Sequence, residues 1–82
     1  MASATLETLA SALAEDCMAA MKATGHDRLY VEVGNALGAS SQTLEEAFLT
    51  EIRIRLADRA ARDFLLRRVR ELRAQQQAQS QG

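Results

Sequence analysis

Two six-residue stretches decide the fold class: Arg28-Leu29-Tyr30-Val31-Glu32-Val33 and Glu51-Ile52-Arg53-Ile54-Arg55-Leu56. Each alternates polar with apolar residues, and their valines, isoleucines and tyrosine suit a strand. As strands at about 28–33 and 51–57 they give an α+β chain in which Tyr30 and Glu32 pair across to Arg53 and Arg55. A two-stranded sheet of that size needs a second chain to extend it. Read at helical spacing instead, Leu29, Tyr30, Val33, Ala36 and Leu37 share one face. Neither stretch is framed by the turn residues that usually bound a strand. The helical reading is therefore preferred: an all-α protein, a small bundle of three or four helices with a long C-terminal helix as its spine.

Composition points the same way. The 82 residues hold no Pro, and the four Gly are confined to positions 25, 34, 38 and 82, so helix-breaking chemistry is absent nearly everywhere else. The predicted breaks fall at Gly25 and Gly38. Ser3 is a cap for a first helix whose Leu6, Leu9, Ala10, Leu13, Cys17, Ala20 and Met21 recur every three or four residues. Lys22 meets the negative end of that helix, and Gly25 is suited to a left-handed stop. Asp27 is the expected cap of the second helix. Ser40, Ser41 and Thr43 are all competent caps for the third, and Thr43-Leu44-Glu45-Glu46 has the form of a capping box.

From residue 39 to residue 80 no Gly or Pro intervenes. Two apolar rows at spacing four run along this segment. One is Phe48, Ile52, Leu56, Ala60 and Phe64; the other is Ala57, Ala61, Leu65 and Val69, with Leu72 beyond. Rows at spacing four drift around a straight helix and do not make the heptad seam of a long two-stranded coiled coil. A second break at Asp58, itself a cap residue, would split the segment. Residues 1–73 read as one helical domain and 74–82 as a flexible Gln-rich tail with nothing to bury.

Size bounds the function. Leu, Ile, Val and Phe number 18 of 82, near the one-fifth level below which chains tend to disorder. A chain this short buries only about 60 to 65% of its unfolded surface. Self-association is the default expectation, through Leu49, Ile52, Leu56, Phe64, Leu65, Val69 and Leu72. No apolar run approaches a membrane span, residues 1–25 lack the pattern of a secretory signal, and one Cys forms no internal disulfide. A cytoplasmic protein without membrane contact is expected.

The charge is lopsided although the net is only −1. Residues 1–52 carry two cations against eight anions, and residues 53–82 carry eight Arg against three anions, so the halves stand near −6 and +5. One reading has the acidic half neutralise the basic helix within one chain or across a dimer. The other offers the Arg series to an anionic partner such as nucleic acid. A pI near 5.7 favours the first.

Residues 33–47, Val33-Gly34-Asn35-Ala36-Leu37-Gly38-Ala39-Ser40-Ser41-Gln42-Thr43-Leu44-Glu45-Glu46-Ala47, resemble the core of a helix-turn-helix. Gly34 stands at the helix crossing, Leu37-Gly38 ends the first helix and residues 40–43 open the second. The resemblance implies a DNA-binding regulator in which Ser41, Gln42 and Thr43 enter the major groove while Arg55, Arg59 and Arg62 meet phosphates. Glu45 and Glu46 on the reading helix oppose that role by repelling phosphate.

Catalytic and metal chemistries lack their residues. His26 and Cys17 do not make a tetrahedral N/S site, and no Glu-x-x-His pair or Asp-rich loop is present. Cys17 lies next to Glu15 and Asp16 rather than the cations that activate a thiolate. Gly34 and Gly38 have no following Lys for a phosphate loop, and Ser40-Ser41 has no triad histidine. The expectation is a non-catalytic protein without metal or cofactor, acting on another protein and on its own copies.

Overall fold

The computed structural model describes residues 3–81 as three helices: α1 (Ala4–Thr24), α2 (Leu29–Gly38) and α3 (Gln42–Gln81). Among the described residues there is no strand, so the α+β alternative with strands at 28–33 and 51–57 is overturned. Burial shows why. A strand would set Ile52, Ile54 and Leu56 on one face. In a helix, residues two apart point about 200° away from each other, and here Ile52 is fully buried while Ile54 is 59% exposed.

The helix ends follow local chemistry. The Ser3 hydroxyl accepts the Leu6 N–H at 3.0 Å, opening α1. Gly25 closes it with φ 72°, a left-handed conformation in which its N–H reaches the Met21 carbonyl at 2.9 Å. Asp27 does not cap α2: the cap position is Arg28, which makes no side-chain cap bond. The His26 ring bonds Glu32 across this corner instead. At the start of α3 the Ser41 hydroxyl accepts the Leu44 N–H at 3.1 Å. Of the three candidate caps, Ser40, Ser41 and Thr43, it is Ser41 that starts the helix. α3 runs through Asp58 without a break and remains helical across the Gln-rich end to Gln81.

The three helices pack pairwise. Leu6 and Ala10 of α1 share a groove with Thr43 and Ala47, and Ser11 meets Arg55 further along, so α1 and α3 run in the same direction. α2 returns antiparallel between them, with Gly34 against Leu49 and Gly38 against Glu45. The inner face of α1 is Ala10, Ala14, Cys17 and Met21. Its two alanines let α3 approach closely, and Phe48 and Ile52 fill the space as the largest fully buried side chains. Leu9, placed on this face by spacing alone, points outward at 54% exposure. On α2, a Cβ at Gly34 would stand 3.2 Å from a Leu49 methyl, so the small residue permits the crossing. Leu29, Tyr30, Val33 and Leu37 complete this side of the core.

Helix lengths decide the overall shape. At 1.5 Å per residue, the 21 residues of α1 and 10 of α2 are too short to cover the 40 of α3. Leu56 is the last residue of α3 packed on the core. The remainder projects, giving extents of 64 × 31 × 14 Å and a radius of gyration of 18.4 Å. A compact chain of this length would have a radius of about 12 Å.

Candidate interaction surface

The seven residues expected to form one interface do not share a surface. Ile52 is fully buried inside the bundle, and Leu49 and Leu56 are half-buried against the same core. Phe64, Leu65, Val69 and Leu72 lie on the projecting half of α3. Phe64 is 60%, Leu65 59% and Leu72 43% exposed, and Val69 is half-buried. The row Phe48, Ile52, Leu56, Ala60, Phe64 thus begins in the core and ends exposed to solvent.

Two exposed residues were not singled out by spacing: Ile54 and Leu66. Ile54 sits on the outer side of α3, where it shares an open groove with Glu15 and Met18 of α1 and with Asp58 and Arg59. With Ala57, Ala61, Leu65, Val69 and Leu72 it forms a stripe within about a third of the helix circumference, nearly opposite the core face. The sequence signal was present in the step from Ile54 to Ala57. It was masked because Ile54 also reads as part of an alternating segment.

Three of the eight arginines of α3 are answered by nearby carboxylates. Arg55 is the one that links helices: it bonds Glu51 of its own helix, the Ser11 hydroxyl of α1 at 2.9 Å, and lies 3.6 Å from Glu15. Arg62 pairs with Asp58 at 2.9 Å and Arg68 with Glu71 at 3.0 Å, both along the exposed helix. Arg53, Arg59, Arg67, Arg70 and Arg73 make no ion pair among the described residues. Among the described residues, ion pairs between the acidic and the basic half of one chain are made through Arg55 alone.

The helix-turn-helix residues are placed as follows. α2 and α3 are joined by residues 39–41, a turn of the length such a motif uses. Gln42 and Thr43 are exposed and Ser41 is occupied as a cap. Thr43 opens onto a groove it shares with Glu7, Glu46 and Glu51. Of the three arginines assigned to phosphates, Arg55 and Arg62 are engaged with carboxylates and Arg59 stands free.

Burial pushes the Cys17 thiol above its ordinary value of 9.0, away from the thiolate form. Among the described residues no polar or charged side chain is buried, and no group of three His, Cys, Asp or Glu is placed to hold a metal ion. No described helix is long and apolar enough to cross a membrane. Compared with protein-family models, with curated proteins and with solved structures, the chain finds no match.

Proposed function

We propose that the protein is a small, non-catalytic interaction module of the cytoplasm that works as a homo-oligomer, with the projecting half of α3 as its contact surface. One observation carries this reading: Phe64, Leu65, Leu66 and Leu72 all stand more than two-fifths exposed on a helix half that no other element covers. Large apolar side chains gathered outside the core mark a contact surface rather than ordinary surface composition. The unpaired arginines beside them set orientation and repel wrong partners, while the apolar stripe supplies affinity. Cys17, which burial holds as the thiol rather than the nucleophilic thiolate, supports a non-catalytic role.

Sedimentation of the full chain across a wide concentration range is the test. Self-association that persists as salt rises supports an apolar contact. A species that keeps its 9.0 kDa mass at every concentration overturns it. Duplex DNA added in low salt addresses the helix-turn-helix reading, since binding through phosphates falls steeply with added salt. Glu45 and Glu46 at the head of α3, and the acidic groove beside Thr43, favour the protein partner over the nucleic acid.

A further inference from the structure

The side of α3 that packs on the core changes character beyond residue 56. Continued at about 100° per residue, the direction of Phe48, Ile52 and Leu56 runs on through Arg59, Asp63, Leu66, Arg67, Arg70 and Arg73. With Arg62 at its edge, this face holds five arginines against one acid. It is not an unfinished core. All five arginines are exposed; four of them make no ion pair among the described residues, and Arg62, paired with Asp58, keeps its side chain 75% exposed. The apolar stripe of Ala57, Ala61, Leu65 and Leu72 lies on the other side of the helix, so the arginine face is a separate surface.

Arg59 and Arg62 recur eleven residues later as Arg70 and Arg73. Eleven residues are close to three turns of a straight helix, so the two pairs lie in one line about 21 Å long. A guanidinium is a planar fork that fits phosphate, and a DNA duplex carries one negative charge per about 1.7 Å of its axis. A straight row of such forks meets that ligand repeatedly. The acidic bundle does not cancel the row: Arg70 stands about 28 Å along the helix from Glu51, more than three times the Debye length of about 8 Å at physiological salt. The face carries no aromatic side chain on which an unpaired base would stack, which favours a duplex over a single strand. A lone helix about 10 to 12 Å across matches the major groove of B-DNA at about 12 Å, whereas that of A-form RNA is too narrow. From this juxtaposition we infer that the arginine face of α3, residues 59–73, binds the phosphate backbone of double-stranded DNA. Residues 41–43 at the head of α3 take no part, because Glu45 and Glu46 repel phosphate there. The inference adds a second ligand to the protein contact proposed above and does not depend on what covers the apolar stripe.

Fluorescence anisotropy of a short labelled DNA duplex, titrated with the full chain from low to physiological salt, is the test. Log affinity is expected to fall with log salt at a slope of about −4, the value for four or five neutralised phosphates. Arg70→Gln and Arg73→Gln, matched to the parent by circular dichroism, each weaken binding by about threefold to tenfold and reduce the slope by about 1. Arg53→Gln removes an equally unpaired, exposed charge beside the bundle and changes binding by less than about twofold. Equal losses from Arg53→Gln and Arg70→Gln overturn the face, and a loss on Gln42→Ala assigns the contact to the head of α3 and overturns it too. Tighter binding to the single strand, or binding to phosphatidylserine vesicles without binding to the duplex, overturns the ligand. Self-association without DNA that collapses with added salt and with Arg70→Gln gives the face to the acidic half of a second copy and overturns the inference. A parent chain that leaves the duplex free in low salt overturns it outright, whatever oligomeric state sedimentation finds.

Discussion

The two halves of α3 carry the same apolar row and meet opposite fates. Phe48, Ile52 and Leu56 follow one another at spacing four, and so do Leu56, Ala60 and Phe64. Phe48 is fully buried and Phe64 is 60% exposed, although the two are the chain's only phenylalanines and share one helix. What differs is the company. Up to residue 56 the helix packs on the core it forms with α1 and α2; beyond it no residue of α3 joins that core among the described residues. The lesson is that an amphipathic pattern specifies a face that needs covering and says nothing about whether its cover comes from the same chain.

Removing each phenylalanine gives the sharpest break of that comparison. Phe48→Ala leaves a cavity in a core of few residues and is expected to cost about 3 to 5 kcal/mol, enough to unfold most molecules of a marginal domain. Phe64→Ala in dilute solution is expected to change unfolding by less than about 0.5 kcal/mol while weakening self-association at higher concentration. Urea titrations followed by circular dichroism at two protein concentrations measure both. Equal effects of the two variants in dilute solution would erase the distinction between the halves.

On the bundle side, Gly34→Leu is expected to cost about 1 to 3 kcal/mol by pushing a side chain into Leu49 across the α2–α3 crossing. Gly34→Ala is closer to neutral, since helix propensity gains about what the 3.2 Å approach to a Leu49 methyl takes away. Thermal denaturation of the pair reads the tightness of that crossing. Arg55→Ala should cost about 1 kcal/mol, because it releases the hydrogen bond to Ser11 that ties α1 to α3. Arg59→Ala, on the exposed part of the helix, is expected to be near silent in the same assay. If Arg59→Ala destabilises the dilute chain as much as Arg55→Ala, the projecting half is held by the bundle after all.

The smallest effect concerns Cys17. Its raised pKa means that the folded chain holds the thiol proton more tightly than the unfolded chain does. The associated stability is complete below the ordinary thiol value of 9.0 and declines as pH rises through it toward the higher folded value. Alkylation that tracks global unfolding, rather than proceeding from the native state, is the corresponding measurement. Fast labelling of the native chain would show that the α1 face opens locally.

Much of the bundle was legible before any coordinates. The Ser3 cap, the Lys22 and Gly25 helix end, and the break after Gly38 each follow from one residue's own hydrogen-bonding or conformational preference. Less legible was the choice of caps at the two later helices. Ser40, Ser41 and Thr43 were all chemically suitable, and the geometry that formed selected Ser41 to accept the Leu44 N–H, while the cap position of α2 fell on Arg28 rather than Asp27. Leu9 and Ala14 show the same limit. Spacing placed Leu9 on the apolar face of α1 and left Ala14 out, yet packing against Phe48 and Ile52 buried Ala14 and left Leu9 exposed.

The interface residues illustrate the larger gap. Spacing alone grouped Leu49, Ile52 and Leu56 with Phe64, Leu65, Val69 and Leu72, because a helix read by itself has no record of where its neighbours stop. What the amino-acid order by itself determined was the helical state, its breaks and the existence of more apolar face than a short chain hides. Those properties depend on side chains a few positions apart. Only the tertiary structure decided which part of that face is core and which part is open, since this depends on the relative lengths and directions of three helices brought together in space.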